Sequence, residues 1–125
     1  MATWNEVSLD CLRAAGELMQ SGRYRSSVSR AYYAAYSAVT AALSHAGVAL
    51  KDDHDGPSHP NARALIGNHF PKLSRKKRKL LMAAMHRLYE SRLDADYRPV
   101  CFVGLETARD ALANASVVAG TFGVT

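Results

Sequence analysis

The stretch SGRYRSSVSRAYYAAYSAVTAALSHAG, residues 21–47, decides the fold of this 125-residue chain. It contains no proline and no interior glycine after Gly22, and small residues such as Val28, Ala31 and Ala35 recur at spacings of three and four. That period is typical of one face of an α-helix. We therefore predict one long helix, with a small-residue face that lets neighbouring helices approach closely and tyrosines beside it.

The segments on either side of this helix predict two more. Thr3 and Glu6 have the spacing of a capping box, so a first helix runs to about Gln20 and forms an antiparallel hairpin with the second. A polar loop, residues 48–60, separates the second helix from a short third helix that stops at Pro71.

The C-terminal half of the chain predicts two further long helices. Ser74 caps a fourth helix that runs to about Leu93, and a turn-rich connection follows at residues 94–99. A fifth helix ends at Gly120, and we expect the tail after it to fray. No stretch alternates like a β-hairpin, so the prediction is a single all-α domain, residues 1–125. Its architecture is an antiparallel up-and-down bundle of four main helices plus a short helix.

Composition favours a water-soluble protein. The chain is 48% apolar and 22% charged, and no apolar run approaches the ~18 residues of a membrane span. The N-terminus does not resemble a secretion signal, so we expect a cytoplasmic location. Cys11 and Cys101 are too few for a disulfide framework, and Cys11 falls on the apolar face of the first helix.

Five consecutive cations, Arg75, Lys76, Lys77, Arg78 and Lys79, form what we call the basic patch. The patch occupies the first turns of the fourth helix, where the helix dipole disfavours cations unless an anion binds nearby. The chain as a whole carries a formal charge of +5, which favours polyanionic partners. The patch indicates either a phosphate-backbone contact or a solvated junction that keeps the protein soluble.

A second basic group lies at the start of the second helix. Arg23, Arg25 and Arg30 alternate there with tyrosines that include Tyr33. Arginine beside an aromatic ring suits phosphate contact and base stacking. The helical spacing of the tyrosines favours a second interpretation, in which their rings belong to the core.

A third candidate site is the segment from Arg92 to Arg98. Two arginines flank Asp96 and Tyr97, an arrangement that suits either ion pairing within the turn or a phosphate held by both arginines. Tyr97 offers a hydroxyl, but a tyrosine with the ordinary pKa of about 10 is a poor general base near neutrality.

The polar loop contains metal-ligand residue types but no metal motif. Asp52, Asp53, His54, Asp55 and His59 match neither an EF-hand nor a helical zinc pair. We therefore expect no metal and no cofactor.

Three segments taken together resemble the HEPN domain family, in its small single-domain prokaryotic form. They are GRYRSSVSRAYYAAYSAVTAAL, HPNARALIGNHF and ESRLDADYRP, the last followed by an alanine-rich helix. The resemblance implies a helical bundle that forms a dimer. It also implies a gene beside that of a minimal nucleotidyltransferase, as a toxin–antitoxin pair.

The resemblance also implies an active site that this chain only partly matches. Many HEPN proteins are metal-independent endoribonucleases in which a histidine follows an arginine after four to six residues. The window that follows Arg92 holds Tyr97, Arg98 and Pro99 and no histidine. Arg92 and Tyr97 are thus the only catalytic candidates, while His59 matches a recurrent family position of unassigned role.

The function predicted from these features is a helical dimer that binds RNA or a nucleotide phosphate in a toxin–antitoxin or defence module. The predicted contact residues are Arg30, Tyr33, His59, Arg92, Asp96, Tyr97 and Arg98. In an antiparallel bundle, the start of the second helix should lie near the end of the fourth. The alternatives are a non-catalytic module that docks a nucleotidyltransferase and a divergent endoribonuclease.

Overall fold

The computed structural model describes residues 2–48 and 57–124 of the chain. These residues form five helices: α1 (Trp4–Gln20), α2 (Tyr24–His45), α3 (His59–His69), α4 (Arg75–Tyr97) and α5 (Leu105–Thr121). No strand occurs in the two described ranges, so the all-α prediction is confirmed. None of the described helices is long and apolar enough to cross a membrane.

Helix α2 is the central helix, because it contacts each of the other four. Val28, Ala31 and Ala35 on its predicted small face are completely buried. Tyr32 is also completely buried, so the core interpretation holds for that ring. The small side chains let α1 and α5 approach the α2 backbone, and the tyrosines fill the space toward α3 and α4.

Hydrogen bonds between helices show the up-and-down arrangement. The hydroxyl of Ser8 donates to the carbonyl of Ala34 at 2.6 Å, and the hydroxyl of Ser27 donates to the carbonyl of Ala15 at 2.7 Å. The start of α1 therefore faces the middle of α2, and the end of α1 faces the start of α2. These helices are antiparallel, as predicted.

Helix α4 is a turn longer than we predicted, and it includes most of the segment expected to be a connection. The prediction failed because Asp94 and Asp96 favour turns when only local sequence is considered. In the structure each carboxylate instead pairs with an arginine four residues away. Arg92 lies 3.0 Å from Asp96, and Arg98 lies 2.9 Å from Asp94. Such pairs stabilise a helix.

The guanidinium of Arg25 completes the end of α4. Its two terminal nitrogens donate to the carbonyl oxygens of Asp94, Ala95, Arg98, Pro99 and Cys101. These carbonyls lie in the last turn of α4 or just after it, where few backbone N–H groups of the helix are available to them. The contact with Arg25 therefore satisfies them and fixes the α4–α5 connection, residues 98–104. Arg25 is therefore a structural residue, and the prediction that groups it with phosphate-binding arginines is wrong.

The C-terminal tail is packed, contrary to the expectation that it frays. Val124 is buried against Ala38 and Ala119, and its backbone N–H donates to the carbonyl of Ala119 at 2.9 Å. The ring of Phe122 also contacts Phe70, with centroids 4.9 Å apart, and joins the ends of α5 and α3.

Candidate nucleic-acid interface

Arg92 is the centre of a group of polar side chains that connects α4 with α2. Its side chain projects from the last turns of α4 toward α2 and is 11% exposed. Its Nε donates to Asp96 at 3.0 Å, and its Nη2 donates to the hydroxyls of Tyr33 at 2.9 Å and Tyr97 at 3.3 Å. We call these four residues the Arg92 cluster.

Aromatic rings surround the charge of Arg92. Its guanidinium carbon lies 5.8 Å from the ring centre of Tyr32, 5.4 Å from that of Tyr33 and 5.1 Å from that of Tyr97. Burial alone would lower the pKa of Arg92, but Tyr33, Tyr97 and Asp96 together raise it. Arg92 therefore stays cationic although it is largely removed from water.

One nitrogen of Arg92 remains available. Nη1 makes no hydrogen bond to any described residue. Every buried side-chain nitrogen and oxygen in the described ranges has a hydrogen-bond partner, so Nη1 is not one of the buried atoms. Nη1 must therefore reach solvent. The cluster thus presents the N–H groups of a fixed, charged guanidinium at the protein surface.

Asp96 holds the cluster to α2. The carboxylate oxygen that accepts from Arg92 also accepts from the hydroxyl of Ser29 at 3.0 Å. Arg92 is thereby held at two points of α2, through Tyr33 directly and through Asp96 and Ser29. The proximity of Tyr33 to Arg92 and Tyr97 that we predicted from the antiparallel helices is present in the structure.

Arg30 is exposed beside the cluster. It lines an open cavity of about 390 Å³ together with Tyr33 and Asp96. It also lines an adjoining cavity of about 320 Å³ that reaches Cys11 and His59. Arg30 and Arg92 thus flank Tyr33 at one end of the bundle. Cys11 itself is buried and has a free thiol, as expected of a core residue.

His59 is joined to the cluster through Tyr32. Its Nδ1 lies 2.6 Å from the Tyr32 hydroxyl, and the ring centre of Tyr36 is 4.8 Å away. The Tyr36 hydroxyl donates to the carbonyl of Pro57, so two tyrosines of α2 fix the start of α3.

The protonation of this pair follows from burial. Desolvation raises the pKa of Tyr32 well above its ordinary value, so its hydroxyl remains a donor. Burial, and then the charge of Arg92, lower the pKa of His59. His59 is therefore neutral near pH 7, and its Nδ1 shares a hydrogen bond with the protonated Tyr32 hydroxyl. The positive charge of the site comes from its arginines.

Arg98 lies at the same end of α4 but is not part of the cluster. Its side chain is half exposed and pairs with Asp94 at 2.9 Å and with Glu90 at 3.9 Å. The hydrogen bond that Arg98 donates to Asp94 raises the pKa of Arg98. The ion-pairing interpretation thus describes the contacts of Arg98, and a phosphate contact there stays a prediction.

The basic patch lies at the opposite end of α4 from Arg92. Arg92 is thirteen positions after Lys79, which corresponds to about 20 Å along a helix. Arg75, Lys76 and Lys79 are exposed, but Arg78 donates to the carbonyls of Phe70 and Leu73 and holds the α3–α4 turn. The structure therefore does not bring the patch and the cluster into one site.

The part of the polar loop that contains Asp52, Asp53, His54 and Asp55, for which we expected no metal, lies outside the described residues. Within residues 2–48 and 57–124, no three His, Cys, Asp or Glu side chains are placed to hold a metal ion.

Sequence reasoning missed two features of the interface, the Tyr32–His59 hydrogen bond and the role of Arg25. The partners are 27 residues apart in the first case and 69 or more in the second. No local sequence pattern encodes contacts between residues so far apart. For the Tyr32–His59 hydrogen bond, the one sequence feature that could have indicated it was the match of His59 to a recurrent family position.

The comparison with families of known proteins covers the whole bundle. A family model for the HEPN domain matches residues 1–122, which include all five helices and every residue of the Arg92 cluster. A search of curated proteins returned no match. The match over nearly the entire chain shows that the protein belongs to the HEPN domain family.

Proposed function

We propose that the protein binds RNA, or the phosphate of a nucleotide, at the Arg92 cluster. The observation that supports this most strongly is a buried guanidinium with one nitrogen, Nη1, directed to solvent. Family membership supports the same nucleotide- or RNA-related role. A guanidinium held in this way loses little side-chain entropy when it binds an anion, so it is prepared for phosphate.

The surroundings of Nη1 suit a nucleotide. Arg30 supplies a second guanidinium across Tyr33, and it is exposed and can move toward a phosphate. Tyr97 is 65% exposed, so part of its ring is available for stacking on a base. Arginine and aromatic side chains in alternation are the usual components of a single-strand binding surface.

The charge balance of the cluster also permits an anion. Asp96 would repel phosphate, but one of its oxygens already accepts from both Arg92 and Ser29. Arg30 and Arg92 together outweigh this single carboxylate. The site therefore keeps a net positive charge, and His59 does not change it near neutral pH.

Salt dependence of RNA binding tests the proposal. Binding of a labelled single-stranded RNA is measured by fluorescence anisotropy at several salt concentrations, and log K is plotted against log[salt]. Each phosphate contact contributes about −0.7 to the slope for a single strand, so Arg30→Gln should make the slope shallower by about that amount. An Arg30→Gln slope equal to that of the wild type would contradict the proposal.

Arg87→Gln is the matched control for that experiment. Arg87 is also exposed and also carries one positive charge, but it lies about 140° around the α4 axis from Arg92. Both variants reduce the net charge equally. Only the loss of Arg30 should change the slope by a full phosphate contact.

We further propose that the protein is a homodimer that associates through the α4–α5 connection. HEPN domains commonly dimerise. Val100 and Phe102 are 95% and 91% exposed, although Arg25 holds the backbone beside them. The Phe102 ring lies so close to Gly104 that a Cβ there would approach it to 2.7 Å. A fixed, exposed apolar surface of this kind favours association.

Molar mass in solution tests the dimer. Light scattering coupled to gel filtration should give twice the chain mass for the wild type and the monomer mass for Phe102→Ser. Val117→Ser, on α5, is the control, because Val117 is an exposed apolar residue outside the connection. A wild-type monomer, or a dimer that survives Phe102→Ser, would contradict this interface.

The wider setting that we propose is a toxin–antitoxin or defence module with a minimal nucleotidyltransferase as the partner. Family membership supports this proposal. An adjacent nucleotidyltransferase gene, and co-purification of the two proteins when co-expressed, are the expected results. Separate elution of the two co-expressed proteins would count against the partnership.

A further inference from the structure

A small cavity lies between α3 and α4, beside the Arg92 cluster. Its volume is about 190 Å³, and Tyr32, Met85 and Tyr89 form its aromatic and apolar walls. The rings of His59 and Tyr89 are nearly parallel, at 23°, with their centres 6.4 Å apart. A flat ring held between the two would need about 7 Å, twice the contact distance of carbon atoms, so the two rings do not sandwich a ligand. A planar aromatic ligand can instead stack on one of the rings that line the cavity.

The polar groups of the cavity suit a nucleobase. Glu90 lies at its edge, about half exposed, and its carboxylate makes no hydrogen bond to any described residue. Its ion pair with Arg98 is 3.9 Å long, which is beyond hydrogen-bond distance. Arg63 and His86 line the same cavity and add hydrogen-bonding groups. The cavity thus combines an acceptor and donors with an aromatic wall.

A carboxylate favours one base over the others. An ionised Glu90 only accepts hydrogen bonds. Guanine carries two neighbouring donors on its Watson–Crick edge, N1–H and the N2 amino group, and a carboxylate can accept from both. Adenine, cytosine and uracil each offer one such group on that edge. Guanine also has the O6 and N7 acceptors that arginine recognises, which Arg63 can bind.

The cavity and the Arg92 cluster are adjacent. Tyr32 borders the cavity and also lies under the guanidinium of Arg92. Glu90 and Tyr97 are seven residues apart on α4, so they lie on the same side of the helix and about 10 Å apart along its axis. A base in the cavity therefore places a phosphate of the same or a neighbouring nucleotide within reach of Arg92.

We infer that this cavity is a nucleobase subsite that prefers guanine, next to the phosphate site at the Arg92 cluster. The inference rests on the proposed function and extends it from phosphate binding to base selection. Glu90 accepts from the Watson–Crick edge, and the base stacks on an aromatic ring of the cavity wall.

Binding of short RNAs to the full-length protein tests the subsite. The probes are labelled uridine heptamers with one central guanosine or one central adenosine, and the all-uridine heptamer is the reference. One bidentate base contact corresponds to about a tenfold preference, so the guanosine heptamer should bind about ten times more tightly than the adenosine one. Competition with GMP and AMP shows whether a free nucleotide has the same preference.

Glu90→Gln should abolish the preference, because the amide replaces one of the two acceptor oxygens by an NH2 group that faces a guanine donor. The substitution preserves side-chain size at a half-exposed position, so we expect the fold to be unchanged. Glu106→Gln removes the same charge from an exposed position on α5 and should keep the preference. The ratio of the two affinities is the readout, since losing a negative charge strengthens all RNA binding slightly.

The outcomes separate the subsite from the phosphate site. Equal affinity for the two heptamers, or a preference that survives Glu90→Gln, overturns the subsite while phosphate binding stands. A guanosine preference that persists when Arg30→Gln leaves the salt slope unchanged supports the subsite and overturns the phosphate site. If no heptamer or mononucleotide binds, both are overturned.

Discussion

Replacing Arg92 by alanine should destabilise the protein far more than replacing Arg98. Both arginines pair with an aspartate four residues away on α4, at 3.0 and 2.9 Å. The side chains of Arg92 and Asp96 are 11% and 28% exposed, whereas those of Arg98 and Asp94 are 50% and 37% exposed. The two pairs therefore differ mainly in burial.

The expected magnitude follows from the contacts of Arg92. The Arg92→Ala variant loses three hydrogen bonds from a charged donor and leaves Asp96 with only the Ser29 hydroxyl. Breaking a buried pair costs 3–5 kcal/mol, and the partial exposure of Asp96 places this case near the lower end, about 3 kcal/mol. For a chain of this length, that loss lowers Tm by roughly 10 °C.

Thermal and urea unfolding followed by circular dichroism measure this difference. Arg98→Ala should leave Tm nearly unchanged, because exposed ion pairs contribute little. A double-mutant cycle with Asp96→Ala then isolates the Arg92–Asp96 coupling, which should be clearly larger than that of Arg98 with Asp94. If Arg92→Ala were as mild as Arg98→Ala, Arg92 would be hydrated and not held in place, and the reasoning would fail.

Three further predictions concern structural contacts. Arg25→Ala should accelerate amide hydrogen exchange in the α4–α5 connection. Arg25→Lys should not restore protection, because one ammonium group cannot reach the five carbonyls that Arg25 contacts. Wild-type exchange rates in either variant would refute this. The pKa of His59 is lowered in the folded state, so stability should fall as pH drops below the unfolded value of about 6.5. His59→Gln should weaken this pH dependence, while His86→Gln, at an exposed position, should preserve it; equal slopes would exclude His59 as the cause. Val124→Ala should lower the free energy of unfolding, measured with urea, by about 1.5 kcal/mol, and Val117→Ala at an exposed position should lower it by almost nothing. An unchanged free energy of unfolding for Val124→Ala would mean that the tail is not packed.

Much of the fold could be predicted because the helical signals are local. The caps Thr3 and Ser74 accept backbone N–H groups at 3.1 and 3.0 Å, as their positions indicated. The end of α4 could not be predicted, because Asp94 and Asp96 favour turns locally, and the local ion pairs that offset this preference are supported by a distant partner. Arg25, 69 residues before Asp94, is this partner.

The part of the candidate site that depends only on the directions of α2 and α4 could be predicted from the sequence. Antiparallel packing of α2 and α4 was enough to expect Tyr33 near Arg92, and the two side chains are hydrogen-bonded at 2.9 Å. Direction alone does not determine which polar atoms meet. The hydrogen bond between Tyr32 and His59 depends on how α3 packs after the polar loop. The sequence of the loop carries no pattern that predicts this packing.

The position at which RNA binds tests most directly whether the Arg92 cluster is the RNA site. In an amide NMR titration with a short single-stranded RNA, we expect chemical-shift changes concentrated at Tyr33, Arg92 and Asp96. The amides of the basic patch, residues 75–79 at the other end of α4, should shift little. Shifts confined to the basic patch, with the Arg92 cluster unchanged, would show that the cluster does not bind RNA.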